Sequence, residues 1–216
     1  MQEMVFTNNF VRTNGTTDPE DPDPTDPDES TLNVSKTVAG DLGNQQMFFD
    51  FNIAVVTPDL GQTIPAFYRA FVVENGAVVT DLTNNVVGTP TGDSWINVAS
   101  SGTTLFRLRH GQALVFVNTP VGTSYNVTET AAATYETSFI ITTNGVPANA
   151  VAGLITGIQF VGELANSAAF TNTRDSVVPT GLLVNNLPFI GLILVAVGAL
   201  VIFIVVKSRK QKQASK

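Results

Sequence analysis

The feature that most constrains this 216-residue chain is an uninterrupted run of twenty uncharged, mostly apolar residues, Leu187–Val206. A helix of that length crosses the hydrocarbon core of a bilayer, so the run predicts a single transmembrane helix. Five basic side chains follow within residues 207–216. Because basic flanks remain on the cytoplasmic side, we predict that this tail is cytoplasmic and that everything upstream is extracellular.

The charges upstream of that helix are mainly negative. Residues 1–206 carry all 18 acidic side chains but only six of the eleven basic ones. A nucleic-acid partner is therefore not expected, since phosphates require a basic face. Cysteine is absent, which excludes disulfides and thiolate chemistry. The only histidine, His110, precedes Gly111 in a predicted turn, and we interpret it as an exposed turn residue. We expect no enzymatic site, metal or cofactor.

The N-terminal segment divides into two parts. Residues 13–31 are rich in proline and acidic side chains, which predicts an extended linker between domains. Calcium binding is the alternative for these carboxylates, but no EF-hand spacing is present. Residues 1–12 contain Val5-Phe6-Thr7-Asn8, which recurs as Ala169-Phe170-Thr171-Asn172. We interpret them as the last strand of a similar upstream domain, and because no signal peptide is visible we expect a further N-terminal portion.

Residues 32–174 show the period-two alternation of β-strands. Phe49, Phe51, Ile53 and Val55, for example, share one phase. The dipeptides Asn75-Gly76 and Asn144-Gly145 are typical of hairpin turns. Eight to ten short strands without a convincing amphipathic helix predict an all-β fold, an antiparallel Ig-like β-sandwich followed by the single C-terminal transmembrane helix.

Three polar residues occupy the apolar phase of their strands: Lys36, Glu129 and Asn172. Lys36 is in phase with Val34, and Glu129 is in phase with Val127. Burying any one of the three alone is costly, and burial becomes tolerable if the three side chains meet. Lys36 is also the only lysine outside residues 207–216, although lysine is normally abundant. The pattern therefore predicts a buried polar cluster across the sandwich.

Such a cluster can form a covalent bond. Burial lowers the pKa of a lysine and raises that of a carboxyl, so a neutral Lys36 amine could attack the Asn172 side-chain amide while Glu129 shuttles protons. The product would be an isopeptide bond, with loss of ammonia. A snorkelling lysine paired with a nearby acid is the alternative, and Glu136 and Glu163 are rival acids.

The pentapeptide Val177-Val178-Pro179-Thr180-Gly181 precedes the apolar run and the basic tail. This order resembles the LPxTG-like cell-wall sorting signal of Gram-positive surface proteins, here in the form VVPTG. The resemblance implies that a sortase attacks the Thr180 carbonyl and releases Gly181 with the hydrophobic tail. It also implies transfer to an amine of peptidoglycan or of another pilin subunit, so the membrane would hold the protein only before sorting.

The segments Ser35-Lys36-Thr37-Val38-Ala39-Gly40, 120–130 and Phe170-Thr171-Asn172 together resemble the isopeptide-linked, CnaB-like domain of streptococcal pilins. The resemblance covers about residues 32–174. It implies a crosslink between Lys36 and Asn172 promoted by Glu129, with Asn8 as the acceptor of the upstream domain. The implied function is a cell-wall-anchored stalk, accessory pilin or adhesin at the cell surface.

The alternative function is a ligand-binding adhesin domain without a crosslink. Its specificity would lie in the sandwich loops, for example around Trp95. Arg107-Leu108-Arg109-His110 could form a small basic patch for a glycan or an anionic polymer. The residues name no particular host ligand, and a tryptophan near a loop is more often packed in the core or at its edge.

Overall fold

The computed structural model describes residues 23–26, 30–59, 61, 63–88, 93–176 and 187–213. The chain divides into two compact units, Met1–Ser176 and Val177–Lys216. The described residues of the first unit form thirteen strands: β1 (Leu32–Ala39), β2 (Phe49–Val56), β3 (Phe67–Glu74), β4 (Ala77–Val78), β5 (Ile96–Ala99), β6 (Ser101–Leu108), β7 (Gln112–Phe116), β8 (Ser124–Glu129), β9 (Glu136–Thr143), β10 (Val146–Pro147), β11 (Val151–Ala152), β12 (Gln159–Phe160) and β13 (Ser167–Thr173).

The strands form two sheets. The larger has the order β10-β9-β13-β1-β7-β3-β4, with β11 also paired to β9 and β5 to β3. The smaller has the order β12-β8-β2-β6. The predicted all-β sandwich is therefore confirmed. Nine strands have four or more residues, within the predicted number, whereas four two-residue strands are too short to produce a visible alternation.

The pairing of β1 with β13 departs from the predicted antiparallel arrangement of the strands. These strands run parallel, from Asn33 opposite Ser167 to Ala39 opposite Thr173. Parallel neighbours need a long connection, and here the rest of the domain between them serves as that connection. The first and last long strands of the domain thus lie side by side in the middle of the larger sheet.

Both predicted hairpin turns are confirmed. Asn75 and Gly76 join β3 to β4 with φ angles of 52° and 74°. Asn144 and Gly145 join β9 to β10 with φ angles of 52° and 75°. Positive φ at both central residues matches the type I′ turn, whose twist suits the flanking strands and which favours Asn-Gly.

The core lies between the inner faces of the two sheets. Phe49, Phe51, Ile53 and Val55 of β2 are all buried, as their shared phase predicts. The ring of Phe51 stacks on Phe106 and meets Phe170 of the opposite sheet edge-on, in both cases with centroids 5.3 Å apart. Aromatic packing of this kind shields from water any polar group that lies among these rings.

The described part of the second unit is one helix, α1 (Leu187–Gln213). Within it, Pro188–Lys207 has a mean hydropathy of 3.3 and none of it is buried, so it is long and apolar enough to span a membrane. The helix extends beyond the predicted end at Val206. Residues 207–213 contain mainly lysine, arginine and glutamine, which favour helix and do not terminate it.

Candidate functional site

Lys36 and Glu129 form an ion pair inside the sandwich. The Nζ atom of Lys36 lies 2.9 Å from Oε1 and 2.8 Å from Oε2 of Glu129. Both side chains are completely shielded from solvent. An ammonium and a carboxylate so deeply buried are tolerated because each satisfies the other, and removing either would leave an uncompensated charge.

Asn172 completes the cluster. Its Nδ2 donates a hydrogen bond to Glu129 Oε1, so one carboxylate oxygen contacts both the amine and the amide. Asn172 is also fully buried, and its Oδ1 has no hydrogen-bond partner among the described residues. A buried polar atom without a partner is unusual in a native fold and requires a specific explanation.

The strand pairing explains how three residues distant in sequence come together. Lys36 on β1 and Asn172 on β13 belong to the larger sheet, where Asn172 is directly opposite Val38. Glu129 is at the end of β8 in the smaller sheet, opposite Phe51 of β2. All three point inward because each occupies the buried phase of its strand, and Glu129 reaches across the core to the pair.

Aromatic rings surround the amine. Lys36 Nζ lies 4.3 Å from the ring centroid of Phe49 and 5.6 Å from that of Phe51. Burial lowers the pKa of Lys36 from 10.5 to about 8, although the charge and hydrogen bonds of Glu129 act in the opposite direction. The environment therefore brings the neutral, nucleophilic form of the amine within reach of physiological pH.

The arrangement contains the parts needed for acyl transfer to an amine. Lys36 supplies a nucleophile, Glu129 a proton carrier in contact with it, and Asn172 an electrophilic carbonyl carbon. The orientation of an amide is assigned from its hydrogen bonds. Rotation of the Asn172 amide by half a turn would place its oxygen against Glu129, where a protonated carboxyl would polarise the carbonyl.

The rival acids lie elsewhere. Glu136, at the start of β9, and Glu163, in the segment before β13, are both exposed. Glu136 is aligned with Thr173 at the edge of the pairing between β9 and β13. Of the three acids considered from the sequence, only Glu129 contacts the amine.

His110 differs from its interpretation as an exposed turn residue. It lies in the turn between β6 and β7, as predicted, but it is partly buried, and its Nδ1 accepts a hydrogen bond of 3.0 Å from the backbone N–H of Val38. No local sequence pattern indicates this contact, because 72 positions separate the two residues. The interpretation was wrong because a lone histidine before glycine has the pattern of an ordinary surface turn.

The possible basic patch is largely neutralised. Arg107 Nε lies 2.6 Å from Asp50 Oδ1, and Arg109 Nη2 lies 2.9 Å from Glu74 Oε2. Trp95 packs beside Phe71. The guanidinium carbon of Arg69 lies over the Trp95 ring, 4.6 Å from the ring centroid. Trp95 also lines a shallow surface cavity of about 350 Å³. These contacts account for the arginines and the tryptophan through packing and charge pairing.

Several predicted residues lie outside the described part of the chain. They are Asn8 with the rest of residues 1–12, and the whole of the pentapeptide Val177-Val178-Pro179-Thr180-Gly181. Of the linker 13–31, only residues 23–26, 30 and 31 are described. There the Asp23 carboxylate accepts hydrogen bonds from the N–H and hydroxyl of Thr25, a local turn that lowers the pKa of Asp23.

Two sheets that enclose a carboxylate in contact with both a lysine and an amide define an all-β sandwich domain with a polar centre in its core. The chain belongs to the family described as Domain of unknown function (DUF7601), whose model matches residues 30–174.

Similar proteins are streptococcal pilus components. The "Pilus tip adhesin Cpa" of Streptococcus pyogenes is 32% identical over 151 residues, covering 70% of this chain and 18% of the relative. The "Pilin" of Streptococcus pyogenes serotype M1 is 28% identical over 181 residues, covering 82% of this chain and 48% of the relative. The expected likeness to streptococcal pilins is thus confirmed, although this chain spans less than half the length of either relative.

Among solved structures, the major pilin from Streptococcus pyogenes matches with a TM-score of 0.54 and 21% identity. The match covers 67% of this chain and 47% of the pilin chain. At this identity the likeness shows a shared fold, and it agrees with the β-sandwich described above.

Proposed function

We propose that this chain is a pilin-type or adhesin component of the bacterial surface, stabilised by an isopeptide bond between Lys36 and Asn172. The streptococcal pilin and pilus tip adhesin relatives support the pilin or adhesin role. The observation that carries the crosslink is the contact of one buried carboxylate, Glu129, with both the Lys36 amine and the Asn172 amide.

The reaction is balanced within these three residues. Glu129 takes a proton from the Lys36 ammonium, and the neutral Nζ attacks Cγ of Asn172. Protonated Glu129 then gives its proton to the departing nitrogen Nδ2, and the Glu129 carboxylate takes up the surplus proton that Nζ loses as the amide forms, so that Glu129 ends protonated. The Nζ–Cγ bond forms, the Cγ–Nδ2 bond breaks and ammonia leaves, with no external reactant required.

The bond would give mechanical strength to a surface stalk. It would join β1 to β13, which already lie side by side, so tension applied at the two ends of the domain would pass through one covalent bridge. The bridge would also restrict the unfolded chain over a long loop. By analogy with a disulfide, that restriction contributes about 4 to 5 kcal/mol to the free energy of unfolding.

The same proposal includes anchoring by a sortase at Thr180 and Gly181. The apolar helix within Pro188–Lys207 and the basic residues after it would hold the precursor in the membrane, with the sandwich outside the cell. The acyl group of Thr180 would then pass to peptidoglycan or to another pilin subunit. Since Lys36 would be consumed internally and no other lysine lies in residues 1–206, these residues would offer no lysine amine to accept the sorting signal of another subunit.

The crosslink is tested by the intact mass of the full chain in detergent. We expect a deficit of about 17 Da, the mass of ammonia lost when an amine displaces an amide. Proteolysis should also yield a branched peptide containing Lys36 and Asn172. Lys36→Ala and Asn172→Ala should each restore the unmodified mass. An unmodified wild-type mass would overturn the crosslink and leave only a buried ion pair.

Anchoring is tested separately by cell fractionation of a Gram-positive host that carries a sortase. Wild-type chain should appear in the covalent cell-wall fraction, whereas Thr180→Ala should remain in the membrane fraction with the hydrophobic helix attached. Equal distribution of both chains would contradict the sorting role of the pentapeptide without affecting the crosslink.

A further inference from the structure

The strand that carries Lys36 is held differently on its two sides. Toward β13 its pairing continues to Ala39. Toward β7 its strand pairing ends at Ser35, opposite Ala113. The remainder of β1 on that side, including Lys36 and Val38, therefore lacks a neighbouring strand within the described residues.

The turn before β7 replaces the missing strand. The Gly111 N–H donates a hydrogen bond of 2.9 Å to the Lys36 carbonyl. The Val38 N–H donates one of 3.0 Å to His110 Nδ1. The imidazole of His110 thus accepts the hydrogen bond that the carbonyl of a neighbouring strand would otherwise accept. Because Nδ1 accepts, this hydrogen bond assigns the ring N–H to Nε2.

The residue that His110 holds is adjacent to both reacting groups. Val38 is two positions from Lys36 on the same strand, and it lies directly opposite Asn172 in the pairing of β1 with β13. Val38 is buried, so its N–H depends on a protein acceptor. The contact therefore fixes β1 at the point where it faces the electrophile.

The turn is itself held in place by polar contacts that are buried or partly buried. The Gln112 side chain, which is buried, accepts hydrogen bonds from the Arg109 N–H and from Asn85 Nδ2 through Oε1. Its Nε2 donates to Glu74, which also pairs with Arg109. These contacts therefore stabilise the turn that positions His110 against β1.

We propose that His110 is a positioning residue for the crosslink between Lys36 and Asn172, acting through the hydrogen bond that its Nδ1 accepts from Val38. The inference rests on the proposed crosslinking function and adds to it a residue that does not touch the reacting atoms. Attack requires Nζ to approach the amide carbon to about 3 to 3.5 Å in the correct direction, and a misplacement of about 1 Å can slow such a step about a hundredfold. Losing the acceptor would free the end of β1 from the turn and loosen that alignment.

The test measures how fast the crosslink forms in newly made protein. The full chain is synthesised as a short pulse in a cell-free system containing detergent micelles, and the fraction with the ammonia deficit is followed by intact mass. His110→Leu retains δ-branched atoms but no acceptor, and we expect it to slow crosslinking by about tenfold or more. His110→Asn places an oxygen at the δ position and should restore the rate to within about twofold of wild type.

His110→Gln is the discriminating variant if the leucine variant does not fold. Its acceptor lies at the ε position, so it should remain slow while asparagine is fast. Thr104→Val is the matched control, because it removes another side-chain acceptor, for the Ala99 N–H, at a site away from β1. We expect this control to crosslink at the wild-type rate.

The outcomes separate the two proposals. Wild type that never shows the deficit overturns the crosslink and the role of His110 together. Wild type that crosslinks, with His110→Leu equally fast, overturns the positioning role alone. That role also falls if His110→Asn is as slow as His110→Gln, or if Thr104→Val is as slow as His110→Leu, since general destabilisation would then explain the effect.

Discussion

Two buried asparagines near opposite ends of β13 have contrasting environments. Asn166 lies just before the strand. Its Nδ2 donates a hydrogen bond of 3.0 Å to the backbone carbonyl of Thr31, and its Oδ1 accepts a hydrogen bond of 3.0 Å from the N–H of Gly162. Further backbone contacts surround both atoms. The side chain of Asn172, within the strand, makes one hydrogen bond, which it donates to the side chain of Glu129, and its Oδ1 is unpartnered among the described residues.

The difference separates an amide used for structure from one suited to chemistry. Every polar atom of Asn166 is satisfied by neutral backbone groups, so this side chain fastens loops and the start of β1 to each other. Asn172 is left under-satisfied beside an ion pair, an arrangement that costs stability unless a reaction resolves it. Forming an amide between Lys36 and Asn172 would remove both buried charges and would also change the under-satisfied side-chain amide of Asn172.

The largest expected effect comes from breaking the reactive cluster. Lys36→Ala should lose the crosslink contribution of about 4 to 5 kcal/mol. It should lose about 3 to 5 kcal/mol more because Glu129 remains buried without its partner. Denaturant unfolding of the full chain in detergent, followed by tryptophan fluorescence, measures the change in the free energy of unfolding.

A double variant separates these two contributions. Lys36→Met with Glu129→Leu removes both charges and should lose mainly the crosslink part, so it should be more stable than Lys36→Ala. If the single variant is the more stable one, the Glu129 carboxylate does not destabilise the core after its partner is removed, and the second of the two contributions is wrong.

Asn166→Ala tests the structural asparagine and should have an intermediate effect. It leaves the carbonyl of Thr31 and the N–H of Gly162 without their partner, which we expect to cost about 2 to 4 kcal/mol in unfolding free energy. The mass deficit of about 17 Da should persist, since the reacting atoms are untouched. Loss of that deficit would contradict the division between the two asparagines.

The pH dependence of crosslinking sharpens the chemistry at Asn172. The proposed reaction needs one proton shared by Lys36 and Glu129, and this proton is lost above the Lys36 pKa of about 8. Raising the pH from 7 to 9.5 should therefore slow crosslinking by about thirtyfold, when pulse-synthesised chain is diluted into buffers and its mass is followed. A rate that instead rises through pH 8 would show that the free amine limits the reaction and that Glu129 is not the proton carrier.

The phase of the strands made the cluster predictable, but not its surroundings. Lys36, Glu129 and Asn172 each interrupt a period-two apolar pattern, and such a pattern reports which face of a strand is buried. By contrast, Asn166 lies in a loop where asparagine is common, and its partner Thr31 is 135 positions away. The contact of His110 with Val38 is similarly non-local, so neither could be found from neighbouring residues.

The sheet order was also beyond local reasoning. Alternation identifies a strand without identifying its neighbour, and the parallel alignment of β1 with β13 depends on the path of the whole domain. The hairpins at Asn75 and Asn144 were predictable because the required positive φ angles are encoded by the dipeptides themselves. Local backbone requirements could therefore be predicted from the sequence, whereas contacts between distant strands could not.

The smallest effect is expected at an exposed ion pair whose charged atoms are also in hydrogen-bond contact. Arg107 and Asp50 approach to 2.6 Å, but their side chains are 39% and 55% exposed. Water and salt screen this pair, so Arg107→Gln should change the unfolding free energy by less than about 1 kcal/mol. The change should shrink further between about 0.05 and 1 M salt, measured by the same denaturant unfolding. A loss comparable to that of Lys36→Ala would mean that charge pairing itself stabilises the sandwich. A negligible loss would agree with an effect of Lys36 that depends on its burial and on the proposed crosslink, both of which the exposed pair lacks.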